Sequence, residues 1–81
     1  MVEVTFSEKF EKKFRKFSNE VKVRIRKQIS KLLDNPEIGK PMKYNRKGTR
    51  EIYVGSFRLS YAYSAGEEII TLLDFYHKDE Q

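Results

Sequence analysis

Apolar and polar residues alternate over the first six positions, with Val2, Val4 and Phe6 on one side. That period of two predicts a short strand from Met1 to Phe6. The period then changes. Phe10, Phe14 and Phe17 recur at helical spacing, with Lys9, Lys12, Lys13, Arg15 and Lys16 between them. Ser7 is placed to cap this helix, and Glu8 sits in the first turn, where negative charge is favoured. Ser18-Asn19 ends it and caps a second helix, whose apolar stripe is Val21, Ile25, Ile29, Leu32 and Leu33. Asn35-Pro36 stops that helix, because a residue before proline is pushed out of the helical region. So short a link between the two predicts an antiparallel helix hairpin.

Residues 35 to 49 hold both prolines, two of the four glycines and little periodicity, and predict a loop or irregular arm. Three strand-like runs follow: Arg50 to Val54, Phe57 to Ser64, and Glu68 to Tyr76. Tight turns at Gly55-Ser56 and Ala65-Gly66-Glu67 join them. In the middle run Phe57, Leu59, Tyr61 and Tyr63 share one face, and Arg58, Ser60 and Ala62 the other. The last run has apolar residues at both parities (Ile69, Ile70, Leu72, Leu73, Phe75), which predicts a central strand partly covered on both faces. The first strand is expected beside it, parallel or antiparallel. The order strand, helix, helix, three strands predicts an α+β two-layer fold. The N-terminal strand and the helix hairpin pack with a four-stranded, mainly antiparallel sheet, leaving the Arg58 face uncovered.

At 81 residues the chain is one domain, 1–81. A chain this small buries only about 60% of its unfolded surface, so an open cleft or a surface is the expected site. No cysteine is present, which removes disulfides and thiolate metal sites. No apolar run reaches membrane-spanning length and no signal peptide is visible, so a soluble, cytoplasmic protein is expected. The net charge of +5 favours an anionic partner.

The candidate chemistry lies on the uncovered face and in the basic arm. Arg58 is a fixed cation in mid-sheet, suited to grip a phosphate. Lys40, Lys43, Arg46, Lys47 and Arg50 cluster with Tyr44 and without an acid among them. Basic residues around an aromatic ring suit a nucleic-acid backbone and a stacked base. Tyr53 and Glu51 have the parity opposite to Ile52 and Val54, and are expected to face Arg58. His77, the only histidine, stands beside Lys78 at the end of the last strand; its unperturbed pKa suits proton transfer near neutrality. The helical cations Lys22, Arg24, Arg26, Lys27 and Lys31 are a solvated face. No glycine-rich phosphate loop, histidine cluster or recognisable carboxylate spacing points to a cofactor or a metal.

The segments VTFSEKFEKKFRKF, LLDNP, REIYVGSFRLSYAY and LLDFYHKDEQ, in this order and spacing, resemble the RelE/ParE toxin superfamily of prokaryotic toxin–antitoxin systems over nearly the whole chain. RelE-type members cleave messenger RNA in the ribosomal A site, without metal. By this resemblance Arg58 matches the strand arginine that contacts the scissile phosphate, and Lys78 the basic residue after the last strand. Arg50, Lys43, Arg46 and Lys47 match the basic contacts placed before the turn. His77, with Tyr53 or Glu51, is the expected proton-transfer group. The chain ends at Gln81, short of the tyrosine that RelE-type members carry beyond the basic pair, and has Glu51 and Tyr53 where basic residues often stand. The resemblance implies a RelB-type antitoxin, in a heterodimer or heterotetramer, with the ribosome and mRNA as targets. Two alternatives stand beside the ribonuclease: a ParE-type DNA gyrase inhibitor, and a non-enzymatic RNA- or ribosome-binding module.

Overall fold

The computed structural model describes residues 1–41 and 48–80. In chain order the elements are β1 (Glu3–Phe6), α1 (Glu8–Lys16), α2 (Asn19–Asp34), β2 (Lys40–Pro41), β3 (Thr49–Val54), β4 (Phe57–Ser64), β5 (Ile69–His77) and a closing 3-10 turn (Lys78–Glu80). The strands form one sheet in the order β1-β5-β4-β3-β2. β1 lies parallel to β5, and the other pairs are antiparallel. The sheet has five strands rather than four. The arm expected to be irregular folds back, and Lys40 and Pro41 pair with Glu51 and Arg50.

Both helices start where a serine supplies an acceptor. Ser7 Oγ accepts from Phe10 N at 3.1 Å, and Ser18 Oγ accepts from Val21 N at 3.3 Å. Acids occupy the first turns and bases the last turn of α1, which complements the helix dipole. Phe10, Ile25 and Leu32 are fully buried against Val54, Leu59, Tyr61, Ile70, Leu72 and Phe75. Each such side chain contributes about 1.5–3 kcal/mol through burial. Leu33, expected in the apolar stripe, is exposed instead, because Leu32 already fills the inward position of that turn.

All six phenylalanines of the chain join in one series. Centroids lie 5.0 Å apart for Phe6–Phe10, 5.8 Å for Phe10–Phe14 and 6.3 Å for Phe14–Phe17. Phe17 meets Phe75 at 5.3 Å, and Phe75 stacks on Phe57 at 4.9 Å. Aromatic pairs of this kind add about 0.5–1.5 kcal/mol each beyond burial. The series ties β1, both ends of α1, and the β4 and β5 strands into one layer.

The alternation of β5 is broken once. Tyr61 pairs with Leu72, but Ser60 pairs with Asp74, so Leu73 is an extra residue in the ladder. A β-bulge of this type shifts the phase of every later side chain. Ile70 and Leu72 face the helices before it, and Phe75 faces them after it. The change of phase accounts for Phe75 at the parity opposite to Ile70 and Leu72, while Ile69 lies before the bulge on the other face. β5 lies one place in from the edge, and β4 is the central strand.

The arm between α2 and β3 is fastened to the core by Tyr61. Its buried hydroxyl donates to Pro36 O at 2.8 Å and accepts from Gly39 N at 2.9 Å. Burial pushes the phenol pKa up, against the opposing pull of the Gly39 N–H. A Cβ at Gly39 would meet the Tyr61 hydroxyl oxygen at 2.7 Å and the Glu51 carbonyl at 2.9 Å, so only glycine admits this close approach. Tyr61→Phe would leave the Gly39 N–H and the Pro36 carbonyl unpaired. It is expected to lower stability by about 1–3 kcal/mol, read as a fall of some 4–8 °C in Tm per kcal/mol for a domain of this size. Gly39→Ala is expected to destabilise as well. Denaturant melts of both variants that overlay the wild type would refute this account of the arm.

Candidate functional site

The register places Glu51 beside Ser60, and Tyr53 beside Arg58. Arg58 in turn pairs with Tyr76 on β5. These side chains share the face of the sheet opposite Leu59 and Tyr61, away from the helices. The guanidinium carbon of Arg58 lies 3.7 Å from the centroid of the Tyr53 ring, and Lys40 Nζ lies 5.2 Å from the same centroid. Lys40 comes from β2 and Arg58 from β4, so the ring is flanked from both neighbouring strands. The ring itself is 49% exposed.

Neither cation has a carboxylate partner among the described residues. Among the described residues, the hydrogen bond of Arg58 is a long one of 3.4 Å to the carbonyl of Phe57. An aromatic face attracts a cation without using its N–H donors. A guanidinium held this way keeps a fork of donors for an anion. A cleft along β2 and β3, lined by Ile38, Gly39, Lys40, Glu51, Ile52 and Tyr53, holds ≈ 270 Å³ and is open to solvent.

Glu51 provides the carboxylate on this face. Its Oε2 accepts a hydrogen bond from the Tyr76 hydroxyl at 3.0 Å, over the small Ser60 of the intervening strand. Tyr76 is only 9% exposed, so the pair is held rather than loose. In the sequence Tyr76 marks only the end of the last strand-like run. Strict alternation from Leu72 would also have turned it toward the helices, and the bulge turns it to Arg58. The signal was present in the broken alternation of β5.

The other expected site residues are distributed differently. Tyr53 and Arg58 are brought together as expected. Lys78 is exposed, and its backbone N–H donates to Ser56 O at 2.9 Å, which holds it at the turn between β3 and β4, at the same end of the sheet. His77 closes β5 on the helix side. Its ring meets Phe57 edge-on at 5.3 Å and ends the phenylalanine series. His77 Nδ1 accepts from Asp79 N at 3.2 Å. The Asp79 carboxylate lies 3.5 Å from the same nitrogen, a contact that is an ion pair only when the imidazole is protonated.

Arg50 also lies on the helix side, paired with Tyr61 and Pro41. It donates to Gly39 O at 2.8 Å and Glu37 O at 3.1 Å, and approaches Glu37 Oε2 at 3.4 Å. These bonds hold the arm that carries Lys40. Lys43, Arg46 and Lys47 lie outside the described residues.

The bulge is itself held by α1. Ser7 N donates to Leu72 O at 2.9 Å, and Ser7 Oγ to Leu73 O at 3.1 Å. Asp74 Oδ1 accepts from Phe75 N at 2.8 Å and Lys13 Nζ at 2.6 Å, and Oδ2 lies 3.1 Å from Lys9 Nζ. Burial works to raise the Asp74 pKa, but the two ammonium groups and the Phe75 N–H outweigh it and hold the carboxyl below its ordinary value.

A depressed carboxyl pKa stabilises the fold above the unfolded value, and that stability is lost as pH falls through the folded one. Asp74→Asn is therefore expected to cost about 1 kcal/mol near neutrality, discounted for the exposure of Lys9 and Lys13. The gap from wild type should close as the solution is acidified below the ordinary carboxyl value of 3.8. Urea melts across that range would check it. A gap that stays constant into acid would show that the charge of Asp74 contributes nothing.

The sequence profile of the ParE toxin of type II toxin–antitoxin systems, parDE, matches residues 4–81. No curated protein matches by sequence. Solved structures match in fold. The isolated E. coli RelE toxin superposes with a TM-score of 0.81 at 18% identity, over 95% of this chain and 84% of that one. A chain of the RelBE2 toxin–antitoxin complex from Mycobacterium tuberculosis gives 0.84 at 20% identity, over 94% and 96%. A chain of the archaeal RelE–RelB complex from Pyrococcus horikoshii gives 0.75 at 15% identity, over 99% and 98%.

Proposed function

The chain belongs to the ParE toxin family of type II toxin–antitoxin systems, and on that premise we propose that it is a metal-independent endoribonuclease that cuts messenger RNA in the ribosomal A site. The observation that carries this reading is the state of Arg58. It is fixed in mid-sheet by an aromatic ring, carries no acid partner among the described residues, and stands on the same face as a carboxylate. A surface that only bound an acidic partner would need the positive charge. It would not need the carboxylate beside it.

The geometry suits RNA self-cleavage chemistry. Glu51 takes the proton of the 2′-hydroxyl. The 2′-oxygen then bonds to phosphorus, and the phosphorus–5′-oxygen bond breaks. The departing 5′-oxygen takes a proton from solvent water. Arg58 donates to the phosphoryl oxygens as charge builds on them, where fixed donors contribute most. Lys40 and Lys78 supply further positive charge at the same end of the sheet. Lys43, Arg46 and Lys47 bind the RNA backbone, a role that depends on charge more than on position. Arg50 serves this surface indirectly, by holding the arm. His77 has no part in proton transfer, since its ring belongs to the helix layer.

The cognate antitoxin is the protein partner. The ribosome and its mRNA are the targets, which places the activity in the cytoplasm. The family match itself favours one competing reading, a gyrase inhibitor of the ParE type. Cleavage of mRNA on programmed ribosomes, mapped by primer extension, separates the two. Wild-type protein is expected to cut in the A site, and Arg58→Ala to cut at least ~100-fold more slowly while still binding ribosomes. A folded wild-type protein that leaves the mRNA whole and inhibits gyrase supercoiling would replace this reading with the other.

A further inference from the structure

The Arg58 face contains a residue to which the reading above gives no role. Tyr76 reaches that face only because Leu73 is inserted into β5. Its hydroxyl then meets the carboxylate of Glu51 at 3.0 Å. The insertion is held mainly by the segment that opens the helix layer, with a longer 3.5 Å bond from Ser60 Oγ to Asp74 O on the site face. Ser7 takes the carbonyls of Leu72 and Leu73, and Lys13 grips Asp74, whose carboxylate also closes on Phe75 N. A path of direct contacts thus runs from α1, through Asp74 and the bulge, to Tyr76 and Glu51.

We propose that Tyr76 is a positioning residue of the candidate active site, and that the Lys13–Asp74 contact acts on the reaction by holding the bulge that delivers it. The proposal rests on the ribonuclease reading. Tyr76 is too buried to meet RNA broadly, so it works through Glu51. A carboxylate has room for about four hydrogen bonds. The Tyr76 hydroxyl takes one of them and fixes the plane of the group, leaving other lone pairs for the 2′-hydroxyl. Without it, Glu51 would rotate on a flexible stem among Lys40, Arg58 and solvent. Reacting groups misplaced by about 1 Å can cost on the order of 100-fold in rate. Asp74 acts one step further out. If its grip loosens, the extra residue can shift along the strand, and a change of phase would carry Tyr76 off the face altogether.

The test is a double-mutant cycle on cleavage and stability together, with wild type, Asp74→Asn, Tyr76→Phe and the double variant. Single-turnover cleavage of mRNA on programmed ribosomes and urea melts are measured on all four. Tyr76→Phe is expected to slow cleavage by about 10- to 100-fold with ribosome affinity unchanged. Asp74→Asn is expected to slow cleavage severalfold when Tyr76 is present, and by no more than about twofold when it is Phe. Its cost in stability should be the same in both backgrounds. Lys13→Met, which breaks the contact from the helix and leaves β5 intact, should reproduce the pattern of Asp74→Asn. Equal slowing in both backgrounds would make Asp74 merely a structural residue and overturn the coupling. Tyr76→Phe cleaving within about twofold of wild type would overturn the positioning role while leaving the ribonuclease reading in place. A wild-type protein that does not cleave would remove the ribonuclease reading, and this proposal with it.

Discussion

A β5 of unbroken alternation would turn Tyr76 toward the helices with Leu72, and would turn Phe75 out of the core. Arg58 would then lose its tyrosine neighbour on β5, and Glu51 would have no hydroxyl to fix it. The insertion of Leu73 avoids both losses. It costs one ladder position and leaves carbonyls that need donors. Ser7 supplies the donors as the chain turns from β1 into α1. One serine therefore caps the helix with its side-chain acceptor and satisfies the bulge with its donors. The same short segment starts the helix layer and sets the phase of the site.

The two faces of the sheet hold their charged groups by different means. On the helix side Arg50 is engaged by two carbonyls and a carboxylate, and Tyr61 is satisfied by a carbonyl and an amide. Polar groups in that position must be satisfied, because a buried one without a partner costs about 1–3 kcal/mol. On the open face Arg58 and Lys40 are held by the Tyr53 ring, which restrains them without neutralising them. The contrast separates a cation that supports the fold from one that remains available to a ligand. Arg50 and Arg58 are both strand arginines, and composition treats them alike.

The layer architecture was legible in the sequence because the periods of two and 3.6 are carried by large apolar residues. Val2, Val4, Phe6, Phe10 and Phe14 all pack where their spacing predicts. The pairing of Tyr53 with Arg58 also followed from parity across a short turn. What parity could not give was the phase beyond an inserted residue, which puts Tyr76 beside Arg58 and His77 beside Phe57. His77 stood beside Lys78 in the sequence, yet neighbours in a strand face opposite ways. The bonds of Arg50 to the arm were hidden for a different reason. A basic residue in a basic run gives no sign that carbonyls of Glu37 and Gly39 lie within its reach. The two-residue β2 was equally hidden, because its pairing depends on Gly39 and Tyr61 bringing the arm back, and neither signals a strand.

The combination on the open face bears on what kind of toxin this is. Positive charge alone would serve a protein that docks on nucleic acid or on an acidic surface, and a carboxylate among the cations would weaken such docking. Here the carboxylate is kept, buttressed by a tyrosine that a bulge has to deliver. Elements that cost a ladder position and weaken simple electrostatic binding are hard to explain on a passive surface. They are easily explained if the cations hold a phosphate while the carboxylate takes a proton from the adjoining hydroxyl. That division of labour requires a substrate with a hydroxyl next to its phosphodiester, which RNA has and DNA lacks.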